Sequence, residues 1–136
     1  MASYSIAGIR AIAPFYAAKL KAVGIRSTTK LLQRAATPKL RKQLAEATTI
    51  PVNLILDWVN IADLTRVRGI ALDYAELLAA VGVDTVRDLK RRNAANLVAR
   101  MAELNARKKY VDLLPSEKRI AGWIGAAKLL KPVIRY

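Results

Sequence analysis

Apolar positions along this chain fall three and four residues apart, the spacing of helices that bury one face. Ala17, Leu20 and Val23 make one such face, and Ala75, Leu78 and Val81 make another. Leu31 with Leu32, Leu40 with Leu44, and the set Leu54, Ile55, Trp58 and Val59 continue the pattern, which closes with Ile120, Trp123 and Ala127. The polar punctuation agrees. Pro14 suits the first turn of a helix, where its missing N–H costs nothing. Gly24 and Gly82 stand where a helix takes a left-handed residue at its C-terminus. Ser27, Thr85 and Asn93 are N-cap residues, and Thr37 followed by Pro38 is a further start signal. Thr85 with Asp88 resembles a capping box. The predicted elements are helices throughout: 4–10, 14–22, 27–35, 38–47 and 51–62, then an opening segment 62–67 followed by 72–80, 85–92, 93–110 and 117–130. Residues 48–51 and 113–116 break the pattern, and Pro132 ends it ahead of a tail at 133–136.

The order of elements repeats because the sequence repeats. Residues 9–25 (IRAIAPFYAAKLKAVGI) return as residues 67–83 (VRGIALDYAELLAAVGV), with nine of 17 positions identical at an offset of 58. Ile120, Trp123 and Ala127 match Ile55, Trp58 and Ala62 at an offset of 65, so seven extra residues lie in the long helix before them or in the turn after it. The expected architecture is all-α: two units, 1–62 and 63–136, packed as one domain with pseudo-twofold symmetry and no flexible linker. Trp58 and Trp123 have apolar neighbours one turn away, which favours a core role over stacking on a base. Tyr16 and Tyr74 read as core residues with an exposed hydroxyl.

Residues 9–13 and 67–71, with the helices around them, resemble the helix-hairpin-helix motif, whose hairpin typically reads Gly-hydrophobic-Gly. The chain resembles a bacterial family of uncharacterised proteins built from two such repeats, over roughly residues 4–130. In the wider helix-hairpin-helix class the hairpin N–H groups and the next helix N-terminus hold a nucleic-acid phosphate. The resemblance implies the same role for the segment Gly69, Ile70 and Ala71. The first hairpin has Ala11 and Ala13 where glycines are expected. An alanine is strained at positive φ and adds a Cβ where a phosphate would approach, so contact is expected more at the second hairpin than at the first.

Composition narrows the function classes. Cysteine and histidine are both absent from the 136 residues. The first absence removes disulfides and thiolate metal sites, and the second removes the commonest general base and metal ligand. No phosphate loop, metal cluster or nucleophile elbow is present, so neither an enzyme nor a cofactor is expected. The pairs Asp84 with Asp88 and Asp73 with Glu76 read as surface or capping carboxylates. Charges interrupt every apolar run before it reaches membrane-spanning length. Residues 1–45 contain no acid and resemble an organelle transit peptide, but the first repeat copy lies inside them, which favours a folded, cytoplasmic protein.

Charge supplies the functional expectation. The chain carries 24 Lys and Arg against 10 Asp and Glu, a net +14, with +7 on each unit. Such a surface favours polyanions. Lys39, Arg41 and Lys42 crowd a helix start, where cations are unfavourable unless an anion binds. Lys90, Arg91 and Arg92 end a helix, as do Arg107, Lys108 and Lys109. Arg10, Arg26, Lys30, Arg66, Arg68 and Arg87 lie near the hairpins. The expected partner is nucleic acid, most simply duplex DNA held by its phosphates without sequence readout. The alternative is an interaction module for an acidic protein, and a membrane-surface role ranks third because the apolar faces are needed for the core.

Overall fold

The computed structural model describes residues 3–136. Among these residues the fold is all-helical, with no strand and one isolated antiparallel bridge between Ser5 and Ser27. A 3-10 turn, Ile6–Gly8, precedes α1 (Pro14–Ala22), α2 (Thr28–Arg34), α3 (Pro38–Thr48) and α4 (Val52–Leu64). Then come α5 (Leu72–Ala80), α6 (Val86–Leu89), α7 (Ala94–Arg107) and α8 (Glu117–Leu129).

The start signals act as the sequence requires. The side chains of Ser27, Thr37, Thr85, Asn93 and Ser116 each accept a backbone N–H three residues on, capping α2, α3, α6, α7 and α8. Gly24 and Gly82 follow α1 and α5 with φ of +86° and +94°. Thr49 ends α3 in the left-handed region without being a glycine, at φ +60°.

α4 is the hub. It packs on α2 and α3 behind it in the chain and on α5 and α6 ahead of it. Its buried run Ile61, Ala62, Asp63 and Leu64 continues past the expected unit boundary, so residues 62 and 63 lie inside one helix. α7 and α8 pack on each other, with α5 against α7 and α6 against α8. Both tryptophans are core residues, 1% and 2% exposed. Tyr16 tilts onto Trp58 with ring centres 5.5 Å apart, and Tyr74 onto Trp123 at 5.3 Å. Truncating either indole empties one of these aromatic pairs, a change that costs about 3–5 kcal/mol in cores generally.

Three expectations are corrected. Residues 4–10 form only a single 3-10 turn, because Ile6 and Thr28 N–H groups are drawn across to the Arg26 and Tyr4 carbonyls. Thr85 and Asp88 make half a capping box: the Asp88 carboxylate pairs with Arg92 instead. The tail expected at 133–136 is docked, and residues 130–136 form a strap. Ile134 is buried, Arg135 N–H donates to the Ala36 carbonyl at 2.8 Å, and the Tyr136 hydroxyl donates to Asn60 at 2.8 Å.

Candidate nucleic-acid interface

The two repeat copies place a four-residue turn at the same point. Ile12 N–H closes the first on the Ile9 carbonyl at 3.0 Å, and Ile70 N–H closes the second on Val67 at 3.1 Å. Their third residues differ. Gly69 has φ +94°, as a type II turn requires. Ala11 is not among the positive-φ residues, so the first turn escapes the strain expected of an alanine by belonging to another turn class.

The first turn already holds an anion. Glu76, on α5 and 6% exposed, accepts the Arg10 N–H at 3.0 Å and the Ala11 N–H at 3.3 Å. Glu76 is thus no surface carboxylate, contrary to expectation: its burial is repaid by charge-assisted hydrogen bonds to otherwise orphaned backbone donors. Its repeat counterpart, Ala18, is exposed on α1 and has no such group. In the second turn neither Arg68 nor Gly69 N–H donates a hydrogen bond among the described residues.

That second turn opens onto a groove of about 480 Å³ shared with α8. Arg68, Lys118 and Arg119 bring positive charge to it, Gly69 and Trp123 form its floor, and no carboxylate lines it. Arg119 is held over the rings of Tyr74 and Trp123, 5.2 and 6.0 Å from their centres. A Cβ on Gly69 would lie 3.0 Å from the Trp123 indole nitrogen. Gly69 is therefore a packing position as well as a turn position.

A second basic concavity, of about 320 Å³, lies between α6 and the strap. Arg66, Arg87, Lys90, Arg91 and Lys131 line it, together with Asp63. Arg66 and Asp63 pair at 2.8 Å with their side chains only 10% and 8% exposed. Burial pushes the Asp63 carboxyl above the usual carboxylate range, against the hydrogen bond and charge of Arg66. Burial and the Asp63 charge likewise raise the Tyr136 hydroxyl.

The predicted site residues therefore do not form one surface. Arg66, Arg87, Lys90 and Arg91 converge beside the strap, and Arg68 and Gly69 line the groove. Arg26, Lys30, Lys39 and Lys42 are exposed and line neither. Arg41 is corrected: it is 4% exposed and donates to the Ala35 carbonyl at 3.0 Å and the Arg135 carbonyl at 2.7 Å. Those carbonyls, not a bound anion, explain a cation near the start of α3. Ile70 is also corrected, since its side chain is buried and its N–H is spent within the turn. Ala71 is the half-buried residue before α5. Arg10 spans to the Lys109 and Tyr110 carbonyls, and Arg92 pairs with Asp88 and the Gly82 carbonyl. Lys118, Arg119 and Lys131 are the cations that sequence reasoning missed. For the first two the signal was present: Ser116 caps α8 and so places them in its first turn.

Among the described residues no group of acidic side chains is arranged to hold a metal, and no helix is long and apolar enough to cross a membrane. Residues 10–130 match the family described as domain of unknown function DUF4332. The chain belongs to this family. No curated protein and no solved structure matches it.

Proposed function

We propose that the chain is a tandem helix-hairpin-helix protein, its units 1–62 and 63–136 related by a pseudo-twofold axis. In this reading it is a cytoplasmic binding protein rather than an enzyme. It grips nucleic acid, in the first place duplex DNA, by backbone phosphates without reading sequence. The observation that carries this reading is the groove at the second turn. It gathers three cations, two uncommitted backbone N–H groups and the N-terminal turn of a 13-residue helix, whose one acid, Glu117, is not among the lining residues. Only four of the 24 Lys and Arg side chains pair with a carboxylate among the described residues, which leaves a large positive surface around it.

The test is a gel shift with random duplex and single-stranded DNA at two salt concentrations. Coverage of about five phosphates gives a log–log salt slope of roughly −4 to −5. No affinity at low salt sinks the reading. One observation favours the second reading, an acidic protein partner: the anion on the first turn is a carboxylate, the group such a partner presents. Capture of a single acidic protein by a chain that ignores DNA would select it.

A further inference from the structure

The cavity beside the strap shares no lining residue with the groove at the second turn. Its five cationic side chains face a single side-chain carboxylate, Asp63, which is already spent on Arg66. Arg66 lines the site with its side chain only 10% exposed. It uses one donor on Asp63 and one on the Lys131 carbonyl at 2.9 Å, out of the five that a guanidinium offers. Arg87 and Arg91 are exposed at the rim and Lys90 is half-buried. A concavity with a large excess of one sign of charge concentrates the opposite sign. At about 320 Å³ it lies at the lower end of small-ligand pockets, large enough for a chain of phosphates.

We propose that this cavity binds a small di- or triphosphate anion, either a free oligophosphate or the phosphate chain of a nucleotide. The strap is its outer wall. Arg66 fixes one phosphate from below while Arg87, Lys90, Arg91 and Lys131 neutralise the others. Because Lys131 belongs to the strap and Arg66 holds its carbonyl, ligand and strap order one another. Four of the five cations lie within the family match and the fifth, Lys131, lies just beyond it. The proposal does not depend on DNA binding, and the two fail separately.

The experiment is isothermal titration of the full chain with sodium tripolyphosphate, repeated with ATP and with a 5′-phosphorylated oligonucleotide. We expect saturable binding at one site. Arg87→Ala with Arg91→Ala weakens it by at least about tenfold, whereas Lys118→Ala with Arg119→Ala leaves it within about twofold. Hydrogen exchange at the Arg135 amide, which holds the strap on Ala36, slows when tripolyphosphate is added. ATP binding as tightly as tripolyphosphate assigns the site to nucleotides, and weaker ATP binding assigns it to the free anion. Three results overturn the proposal: no saturation, an equal loss from the charge-matched pair Lys39→Ala and Lys42→Ala, or binding of the oligonucleotide alone.

Discussion

The turn at residues 9–12 and the turn at residues 67–70 began as the same sequence feature and ended as different chemical objects. Both close with the same backbone hydrogen bond, and both precede a nine-residue helix. The first keeps Ala11 out of positive φ and spends its exposed N–H groups on Glu76. The second keeps Gly69 at φ +94°, leaves its N–H groups without a protein acceptor and faces three cations. A glycine at position 69 against an alanine at 11, and a carboxylate at 76 bound to the first turn only, separate a structural turn from a candidate binding turn.

The largest test asks whether the units are equally essential. Trp58→Ala and Trp123→Ala should each cost about 3–5 kcal/mol in chemical denaturation, since both indoles fill core sites under a tyrosine. A variant that melts like wild type would show that its aromatic pair carries little stability and would break the parallel between the two pairs.

Next, Gly69→Val should destabilise by roughly 2–4 kcal/mol, from a left-handed backbone and a Cβ pressed on Trp123. The exposed Ala11→Val should stay within about 0.5 kcal/mol. Equal costs would mean that the turns are alike after all. The same contact makes Gly69→Val a poor probe of binding, because a loss of affinity would follow from a damaged fold.

Glu76→Ala comes third. It removes the acceptor from two backbone N–H groups and should cost about 1.5–3 kcal/mol, as hydrogen bonds to charged groups do. Amide exchange at Arg10 and Ala11 should accelerate. The same variant sharpens the comparison by reopening the first turn to an outside anion, so its DNA salt slope should steepen by about 0.9, one phosphate's worth. An unchanged slope would show that a vacant turn is not sufficient for phosphate contact.

The smallest effect lies in binding alone. Arg68→Ala with Arg119→Ala should make the salt slope shallower by about 2 while leaving the melting temperature nearly intact. Arg26→Ala with Lys30→Ala, exposed around the start of α2 in the first unit, should change affinity less. The reverse ranking would move the binding surface from the groove to open helix.

Much of the fold was legible because it rests on local rules. Proline at a helix start, a hydroxyl or amide cap, and a glycine after the last turn each act within a few residues, so Thr37-Pro38, Asn93 and Gly82 declared their elements directly. Apolar spacing fixed which faces are buried, and both tryptophans fell where that spacing put them. Composition fixed the net charge and removed histidine and cysteine chemistry. The site was less legible, because it depends on residues brought together from far apart. Glu76 looked like an ordinary surface carboxylate on its own helix, and only packing showed that it sits 66 positions along the chain from the N–H it receives. Arg41 read as a surface cation until the strap supplied its acceptor, 94 residues away. Lys131 comes to line a cavity with Arg66 and Arg87 through the tertiary structure, in which the segment after Pro132 docks on Ala36 and Asn60. Local sequence determines where a helix starts and which face is apolar, since propensity and capping are short-range. Whether a charge is spent or available depends on which partner the tertiary structure places within about 3 Å of it, and no period or motif in the chain encodes that distance.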